Sequence, residues 1–196
     1  HKEIKEYCEQ IGIEYLCTPF CPKAIDLLEE IGVKAFKTGS GELTNLPMHR
    51  KLAQIASHTK KPVIVSTGMS TWDEIAETVS IYESESAKEF LVLTNCTSEY
   101  PPSDYSHANI GNIPEMKKRF NVLVGQSDHT MDNYTAFAAV SMGANVIEKH
   151  FTLNREAGGV DAAFSMEPLE MKVLVEETNP PIGIPPPIAL AIDKIS

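Results

Sequence analysis

The sequence of 196 residues has no tract of clustered Lys and Arg, no apolar run near the length of a membrane span, and no C-x-x-C pair. Each absence excludes a class of protein. Without clustered basic residues, and with a net charge of -10, the chain lacks the counterion release that drives nucleic-acid binding. A membrane-spanning helix needs roughly 20 apolar residues in a row. We therefore expect neither nucleic acid nor a membrane as a partner.

The cysteines and the first residues of the sequence indicate the cellular compartment of the protein. The four cysteines are Cys8, Cys17, Cys21 and Cys96. A chain of this length can bury a core without disulfide bonds, so free thiols in a reducing compartment are expected. The first residues also lack the charged, apolar and small-residue order of a secretory signal peptide. The sequence therefore predicts a cytoplasmic protein.

The composition is even along the chain until its C-terminal end. Residues 1–178 are predicted to form one domain, and residues 179–196, where prolines crowd, are predicted to form an extended tail or linker. Residues 2–11 have the pattern of the middle of an amphipathic helix, and His1 is not an initiator methionine. We therefore expect the domain to be truncated on its N-terminal side.

Within the predicted domain, a short β-rich run, a polar cluster and a helical segment alternate repeatedly. A capping box of Thr71 and Glu74 predicts the start of one helix, and another is predicted after Pro168. The predicted strands are residues 14–17, 34–37, 63–66, 91–95, 122–126 and 145–149. Strands that alternate with helices form a parallel sheet.

Two architectures contain such a sheet. A doubly wound open sheet usually carries a glycine-rich phosphate loop after its first strand, and the sequence has neither G-x-G-x-x-G nor G-x-x-x-x-G-K-[ST]. A (β/α)8 TIM-type barrel brings residues from every strand to one rim, and all the predicted strands end in polar residues. We therefore predict an α/β fold, a (β/α)8 barrel of which about six βα units are present.

Two histidines, His129 and His150, end consecutive predicted strands. Neighbouring strands lie about 4.8 Å apart, so two such imidazoles can reach one ion. Alternation places Glu148 on the same side as His150 and turns Lys149 away. Two nitrogen ligands completed by oxygen suit Mn²⁺ or Mg²⁺ better than structural zinc. A single histidine would indicate a hydrogen-bonded rim residue, whereas the pair favours a metal site.

Glycines and hydroxyls follow two earlier predicted strands, at residues 37–42 and 66–70. Backbone N–H groups next to glycine, hydroxyl donors and the ammonium of Lys37 together favour a phosphate site in an otherwise acidic chain. The alternative is two ordinary βα turns that cap helices. Lys37 counts against that alternative, because an ammonium at the end of a buried strand is costly without an anionic partner.

Six ordered motifs resemble the sialic acid synthase family. They are KTGSGELTNL at 37–46, KPVIVSTGMS at 61–70, NCTSEYP at 95–101, GQSDHT at 125–130, GANVIEKHFTL at 143–153 and DAAFSMEP at 161–168. Enzymes of this family condense phosphoenolpyruvate with an N-acetylated amino-sugar aldehyde, giving phosphate and a nine-carbon 2-keto acid: N-acetylneuraminic, legionaminic or pseudaminic acid. The resemblance implies a (β/α)8 barrel and, in the full-length protein, a homodimer. It also implies a C-terminal antifreeze-like domain, which residues 179–196 do not resemble.

The resemblance also assigns roles to individual residues. The implied phosphoenolpyruvate ligands are Thr18, Lys37, Ser40, Ser66, Ser98 and Ser127. The implied metal ligands are His129 and His150, which would bind Mn²⁺ or Mg²⁺. The residues implied to position the sugar and transfer protons are Glu42, Tyr100 and Asp161. Asp161 is followed by Ala162 rather than by the histidine usual in the neuraminate branch, and this form is more similar to the pseudaminate branch.

Two alternatives of other classes stay open at the level of sequence. One is another phosphoenolpyruvate or aldolase-type barrel enzyme, such as a 3-deoxy-aldulosonate synthase. An aldolase that works through a Schiff base would need a lysine inside the barrel, Lys37 or Lys149. The other is a non-catalytic barrel remnant, which the predicted truncation makes conceivable and which would release no phosphate.

Overall fold

A computed structural model describes residues 1–178, together with the backbone of residues 188–192. Two helices come first, and from the second of them onward helices and strands alternate along the described chain. The helices are α1 (Lys2–Ile11), α2 (Pro22–Glu30), α3 (Leu46–Thr59), α4 (Trp72–Ser84), α5 (Asn112–Phe120), α6 (Tyr134–Ser141) and α7 (Pro168–Thr178). The strands are β1 (Phe36–Thr38), β2 (Val63–Ser66), β3 (Leu91–Cys96), β4 (Leu123–Asp128), β5 (Val146–His150) and β6 (Ile188–Ile192).

The chain divides into two compact units, which we call the first unit (His1–Val92) and the second unit (Leu93–Ser196). The first unit contains β1 and β2, which pair in parallel with Lys37 beside Ile64 and Thr38 beside Val65. Both strands are buried along their whole length. Burial on both faces is the usual state of a parallel sheet covered by helices, and it explains the continuous apolar character of these runs.

Two helices of the first unit begin at the side chains expected to cap them. Thr71 accepts a hydrogen bond from the backbone N–H of Glu74, and the carboxylate of Glu74 accepts one from the N–H of Thr71. The predicted capping box at the start of α4 is therefore confirmed. Asn45 caps α3 in a similar way, because its side-chain oxygen accepts from the N–H of Met48. Such caps satisfy backbone donors that have no partner inside the helix.

In the second unit, β3, β4, β5 and β6 are neighbours in that order. β4 and β5 pair in parallel from Gly125 beside Val146 to Asp128 beside Lys149. Gly125 is needed for this approach, because a Cβ atom there would lie 2.5 Å from the carbonyl oxygen of Val146 and 2.9 Å from its Cβ. β5 also pairs in parallel with β6, with His150 beside Ile192.

Five of the predicted strands are confirmed, with shifts of one or two residues at their ends. The predicted strand at residues 14–17 is wrong, because that segment has no ladder partner and is not a strand. Its side chains from Tyr15 to Cys17 are only half-buried, and a β-rich run becomes a strand only when a neighbour supplies both hydrogen bonds and burial. β6 falls within the predicted tail, and the sequence does not predict it. Residues 179–187 and 193–196 of that tail lie outside the described residues.

The helices predicted over residues 2–11 and after Pro168 are confirmed as α1 and α7. Among the helices that the structure describes, none combines the length and the apolar character that crossing a bilayer requires.

Candidate active site

The first unit places Lys37 and Ser66 on the same face of its strand pair. Lys37 lies beside Ile64 in the register, and Ser66 follows Ile64 by two residues on β2. Because side chains alternate between the two faces of a strand, Lys37 and Ser66 share a face. Lys37 is only 7% exposed and Ser66 only 1%. A buried ammonium and a buried hydroxyl at the carboxyl ends of adjacent strands match the donors predicted for a phosphate.

Ser40 and Glu42 lie on a single 3₁₀ turn that follows β1. The Ser40 hydroxyl oxygen accepts a hydrogen bond of 3.0 Å from the backbone N–H of Gly68, which follows β2. The Glu42 carboxylate accepts one of 2.9 Å from the side-chain amide of Asn45. The structure therefore brings the two predicted loops of the first unit into contact, as a shared phosphate site requires. Thr18 lies half-buried in the segment between α1 and α2.

His49 anchors the backbone of this turn and was not identified from the sequence. It is completely buried on α3, and its Nε2 lies 3.0 Å from the carbonyl oxygen of Glu42. A carbonyl oxygen can only accept, so Nε2 carries the proton and Nδ1 accepts from the Tyr82 hydroxyl at 3.1 Å. Burial lowers the pKa of His49 and raises that of Tyr82. The available signal was a histidine between the buried positions Met48 and Leu52 of an amphipathic helix.

In the second unit, side chains link the carboxyl ends of β4 and β5. The Ser127 hydroxyl donates to the Glu148 carboxylate at 3.3 Å. Asp128 and Lys149, which face each other in the register, form an ion pair of 2.8 Å in which both side chains are 1% exposed. Sequence reasoning predicted that Lys149 turns away from His150, but it did not identify Asp128 as its partner.

The two predicted metal ligands lie together in the second unit. The ring centres of His129 and His150 are 5.2 Å apart, and both side chains are buried. His129 Nδ1 lies 2.7 Å from the carbonyl oxygen of Thr97, so Nδ1 donates and the lone pair of the neutral ring is on Nε2. Histidines that bind metals usually donate their second ring nitrogen to a carbonyl or carboxylate in this way.

Three further side chains surround these imidazoles. The ring of Tyr100 lies over that of His129, with centres 4.0 Å apart. Asp161 Oδ2 lies 3.7 Å from His150 Nδ1, and the ring of Phe164 is centred 5.0 Å from that of His150. Partial burial, followed by the nearby groups of Cys96, Asp161 and Glu148, raises the pKa of Tyr100.

The structure thus brings Tyr100, His129, His150 and Asp161 into one cluster. Phe164 completes it, and sequence reasoning missed this residue because an apolar ring carries no chemical signature. Ser98 lies half-buried, directly after β3 and Thr97.

The imidazoles of His129 and His150 are spaced as two ligands of one divalent cation would be. Two imidazoles that share one ion through metal–nitrogen bonds of about 2.1 Å have ring centres about 5 Å apart, close to the separation of His129 and His150. Among the described residues, no group of three or more His, Cys, Asp and Glu is placed to bind an ion. A metal ion held by His129 and His150 would therefore need its remaining ligands from substrate or water oxygen.

Comparison with known proteins places the chain in a family. The model of the NeuB family matches residues 1–180 of the chain. An N,N'-diacetyllegionaminic acid synthase of Campylobacter jejuni is 41% identical over 175 residues, which are 89% of this chain and 51% of that protein. A pseudaminic acid synthase of the same species is 35% identical over 176 residues, 90% of this chain and 50% of that protein. The chain spans about half the length of these curated relatives.

A solved structure shows the same fold. It is an N-acetylneuraminic acid (sialic acid) synthetase of Leptospira borgpetersenii in complex with citrate. The likeness has a TM-score of 0.81 at 32% identity, over 90% of this chain and 59% of that chain. The predicted fold class, an α/β chain with part of a (β/α)8 TIM-type barrel, is confirmed.

Proposed function

Because this chain belongs to the NeuB family, we propose that the protein of which it forms part condenses phosphoenolpyruvate with an N-acetylated amino-sugar aldehyde. The products are phosphate and a nine-carbon 2-keto sugar acid of the sialic, legionaminic or pseudaminic type. The observation that carries this proposal is the His129–His150 pair at the ends of neighbouring strands, with Tyr100 and Asp161 against it.

The reaction consumes one water: it forms one carbon–carbon bond, and at C2 it replaces the bond to the phosphate oxygen by a bond to the water oxygen. C3 of phosphoenolpyruvate attacks the aldehyde carbon, whose oxygen takes up a proton and becomes a hydroxyl. Water adds to the positively charged C2, and the bond between C2 and the phosphate oxygen then breaks, so that phosphate leaves and the 2-keto group forms. The site must therefore stabilise a developing alkoxide, a phosphate and a transferred proton.

The second unit supplies groups for the aldehyde. We propose that His129 and His150 bind a divalent cation, Mn²⁺ or Mg²⁺, which would supply Lewis acidity toward the aldehyde oxygen. Asp161 and Tyr100 lie against the imidazoles and are proposed to orient the sugar and transfer its protons. A tyrosine hydroxyl is protonated at neutral pH, and burial raises the pKa of Tyr100 further, so this hydroxyl can donate a hydrogen bond.

The first unit supplies groups for the phosphate. Lys37 adds a positive charge at a buried strand end, and Ser40 and Ser66 add hydroxyls. Ser98 and Ser127 of the second unit, with Thr18, are the further ligands that the resemblance implies. Glu42, which Asn45 orients by a hydrogen bond, is proposed to position the sugar, as the resemblance implies.

A Schiff-base aldolase is less well supported. The Lys149 ammonium lies within 2.8 Å of Asp128 Oδ2 and bonds to the carbonyl oxygens of Thr130 and Asp132. These oxygens surround Nζ, and the Lys149 side chain is only 1% exposed, so a substrate carbonyl has no route to it. Borohydride trapping of a substrate carbonyl on Lys37 or Lys149 would favour that alternative.

Two observations point to different sugars. Higher identity to the N,N'-diacetyllegionaminic acid synthase favours a legionaminic acid, whereas Ala162 after Asp161 favours a pseudaminic acid. We propose that the product is one of these two acids and that the substrate is the corresponding amino-sugar. The test is to incubate the chain, and a version extended at both ends, with phosphoenolpyruvate, Mn²⁺ and a panel of 2-acetamido and 2,4-diacetamido sugars. The proposal requires phosphate release together with a product whose mass is that of a nine-carbon 2-keto acid, and phosphate release without that product would contradict it.

We further propose that the full-length protein is a cytoplasmic homodimer. All four cysteines are free thiols, which suits a reducing compartment, and the dimer is implied by the family resemblance. Sedimentation of the extended protein tests the oligomeric state, and a monomer at micromolar concentration would contradict it.

A further inference from the structure

A buried ion pair links the two strands that carry the predicted metal ligands. Lys149 Nζ on β5 lies 2.8 Å from Asp128 Oδ2 on β4. The two residues are opposite each other in the strand register. Each is followed directly in the chain by one of the two histidines, His129 after Asp128 and His150 after Lys149. The pair therefore ties the strands together at the position immediately before both imidazoles.

A second link lies on the other face of the same strands. Side chains alternate between faces, so Ser127 and Glu148 lie on the face opposite to that of Asp128 and Lys149. The Ser127 hydroxyl donates to Glu148 Oε1 at 3.3 Å. A shift of the register by one residue would exchange the faces and break both links. The two links together fix which residues of β4 and β5 end side by side.

The ammonium also fixes the segment that follows His129. Lys149 Nζ donates to the carbonyl oxygens of Thr130 at 2.6 Å and Asp132 at 2.7 Å. The Asp128 carboxylate accepts from the backbone N–H of Thr130 at 3.0 Å and from its hydroxyl at 2.9 Å. The backbone on both sides of His129 is therefore bonded into one buried network.

The imidazole of His129 is fixed separately, because its Nδ1 donates to the carbonyl oxygen of Thr97. Its orientation thus depends on this bond and on the network that fixes its neighbours, Asp128 and Thr130. The desolvation of two buried charges offsets much of their attraction, so a buried ion pair is weak evidence for stability. Two apolar side chains in place of this ion pair could pack as well, but they could not form the bonds that Lys149 makes to two backbone carbonyls.

We propose that Asp128 and Lys149 are positioning residues, whose ion pair sets the separation and orientation of the His129 and His150 imidazoles. Neither residue contacts substrate in this role. The purpose of that positioning, binding a divalent cation, rests on the proposed function. The positioning itself is a property of the metal-free chain.

The test replaces both charges at once with apolar side chains of similar volume, in the variant Asp128→Leu/Lys149→Met. Buried ion pairs replaced together in this way commonly leave the fold intact. We expect a denaturation midpoint near that of the unchanged chain and an affinity for Mn²⁺, measured from the electron paramagnetic resonance signal of the free ion, that is about 10- to 100-fold weaker.

A second readout needs no metal. The ring of Tyr100 lies over that of His129, with centres 4.0 Å apart, so the proton resonances of His129 are shifted upfield by the ring current. In the double variant without metal, we expect this upfield shift to decrease. A double variant that keeps both the Mn²⁺ affinity and the upfield shift overturns the proposal. If the wild-type chain shows the upfield shift of the His129 protons but binds no Mn²⁺, the proposed metal chemistry is contradicted. The upfield shift of His129 then still tests the positioning by Asp128 and Lys149.

Lys149→Arg keeps the test decisive if the double variant does not fold. The planar guanidinium retains the charge but cannot direct three bonds from a single nitrogen to the same three oxygens. We expect a folded chain with a weakened Mn²⁺ affinity and a reduced ring shift, and wild-type values of both would overturn the proposal. Ile113→Ala is the control, because Ile113 is fully buried on α5 of the same unit. It should lower the denaturation midpoint while leaving the ring shift and the Mn²⁺ affinity unchanged.

Discussion

The two units fix their candidate site residues by different kinds of bond. In the first unit, neutral groups fix the turn that carries Ser40 and Glu42: His49 donates to the carbonyl of Glu42, and Thr78 donates to that of Leu43 at 2.8 Å. In the second unit, the strand ends before the histidines are joined by a buried ion pair. A neutral hydrogen bond contributes about 1 kcal/mol, whereas removing one partner of a buried ion pair costs about 3–5 kcal/mol. The first unit should therefore tolerate conservative substitution better than the second.

The largest expected effect comes from removing the imidazoles of the second unit. His129→Ala and His150→Ala should each lower Mn²⁺-dependent phosphate release by about 100-fold or more, because stabilisation of the aldehyde oxygen is worth several kcal/mol. Circular dichroism should show the fold retained. The matched control is His58→Ala, which removes an exposed imidazole on α3 and should leave activity unchanged. Unaltered Mn²⁺ affinity in both single variants would contradict the assignment.

A smaller and more selective effect is expected from Lys37→Met in the first unit. A hydrogen bond to a charged group contributes about 1.5–3 kcal/mol, so the KM for phosphoenolpyruvate should rise about 10- to 100-fold while the KM for the sugar changes little. Steady-state kinetics with each substrate varied in turn measures both constants. Lys34→Met, which removes an exposed ammonium close by in the sequence, should alter neither. Equal increases in the two KM values would argue against a role with phosphate.

The neutral network of the first unit is tested through His49. Burial lowers its pKa below the unshifted value of 6.5, so the unfolded chain binds a proton at a higher pH than the folded chain does. The stability that His49 contributes is therefore present above about pH 6.5 and decreases as the pH falls from there toward the folded pKa. His49→Gln keeps an amide donor for the carbonyl of Glu42 but does not titrate.

Urea denaturation at a series of pH values measures this difference. The stability advantage of the unchanged chain over His49→Gln should shrink as the pH falls from about 7.5 to about 5.5, one unit on either side of the ordinary histidine pKa of about 6.5. His49→Leu, which leaves the Glu42 carbonyl and the Tyr82 hydroxyl without their partner, should cost about 1–3 kcal/mol. An advantage that does not vary with pH would contradict a neutral His49 in the folded chain.

The smallest effect is expected far from the chemistry, at the start of α4. Thr71→Ala removes the capping box and should lower the free energy of unfolding by about 1 kcal/mol, with kcat and KM unchanged. Ser80→Ala on the same helix, where the hydroxyl bonds only to a carbonyl one turn earlier, should change it by less than about 0.5 kcal/mol. A change in KM for either substrate in Thr71→Ala would mean that α4 also positions the site.

The sequence predicts the parts of this structure that depend on local pattern. The alternation of strands and helices, the capping box at Thr71 and the placement of His129 and His150 at strand ends all follow from residue type and spacing. The strand predicted at residues 14–17 is wrong, because β-rich composition does not reveal whether a neighbouring strand is present to pair with it. β6 was missed because the prolines before Ile188 obscure a short apolar run.

The parts that escaped prediction depend on pairs that are distant in sequence. Lys149 and Asp128 are separated by 21 residues, and His49 and Tyr82 by 33, so neither partner identifies the other until the chain is folded. The assignments as ligands or catalytic residues stay predictions for Thr18, Lys37, Ser40, Glu42, Ser66, Ser98, Tyr100, Ser127, His129, His150 and Asp161.

The position of β5 has a consequence for how fast its backbone exchanges protons with water. β5 has β4 on one side and β6 on the other, so its amides are donors inside the sheet rather than at an edge. Exchange with deuterium then requires the strand to separate from a neighbour. The amides of α1, a helix with no buried side chain, need only local fraying. The residues around His150 should therefore be among the last to take up deuterium, and those of α1 among the first.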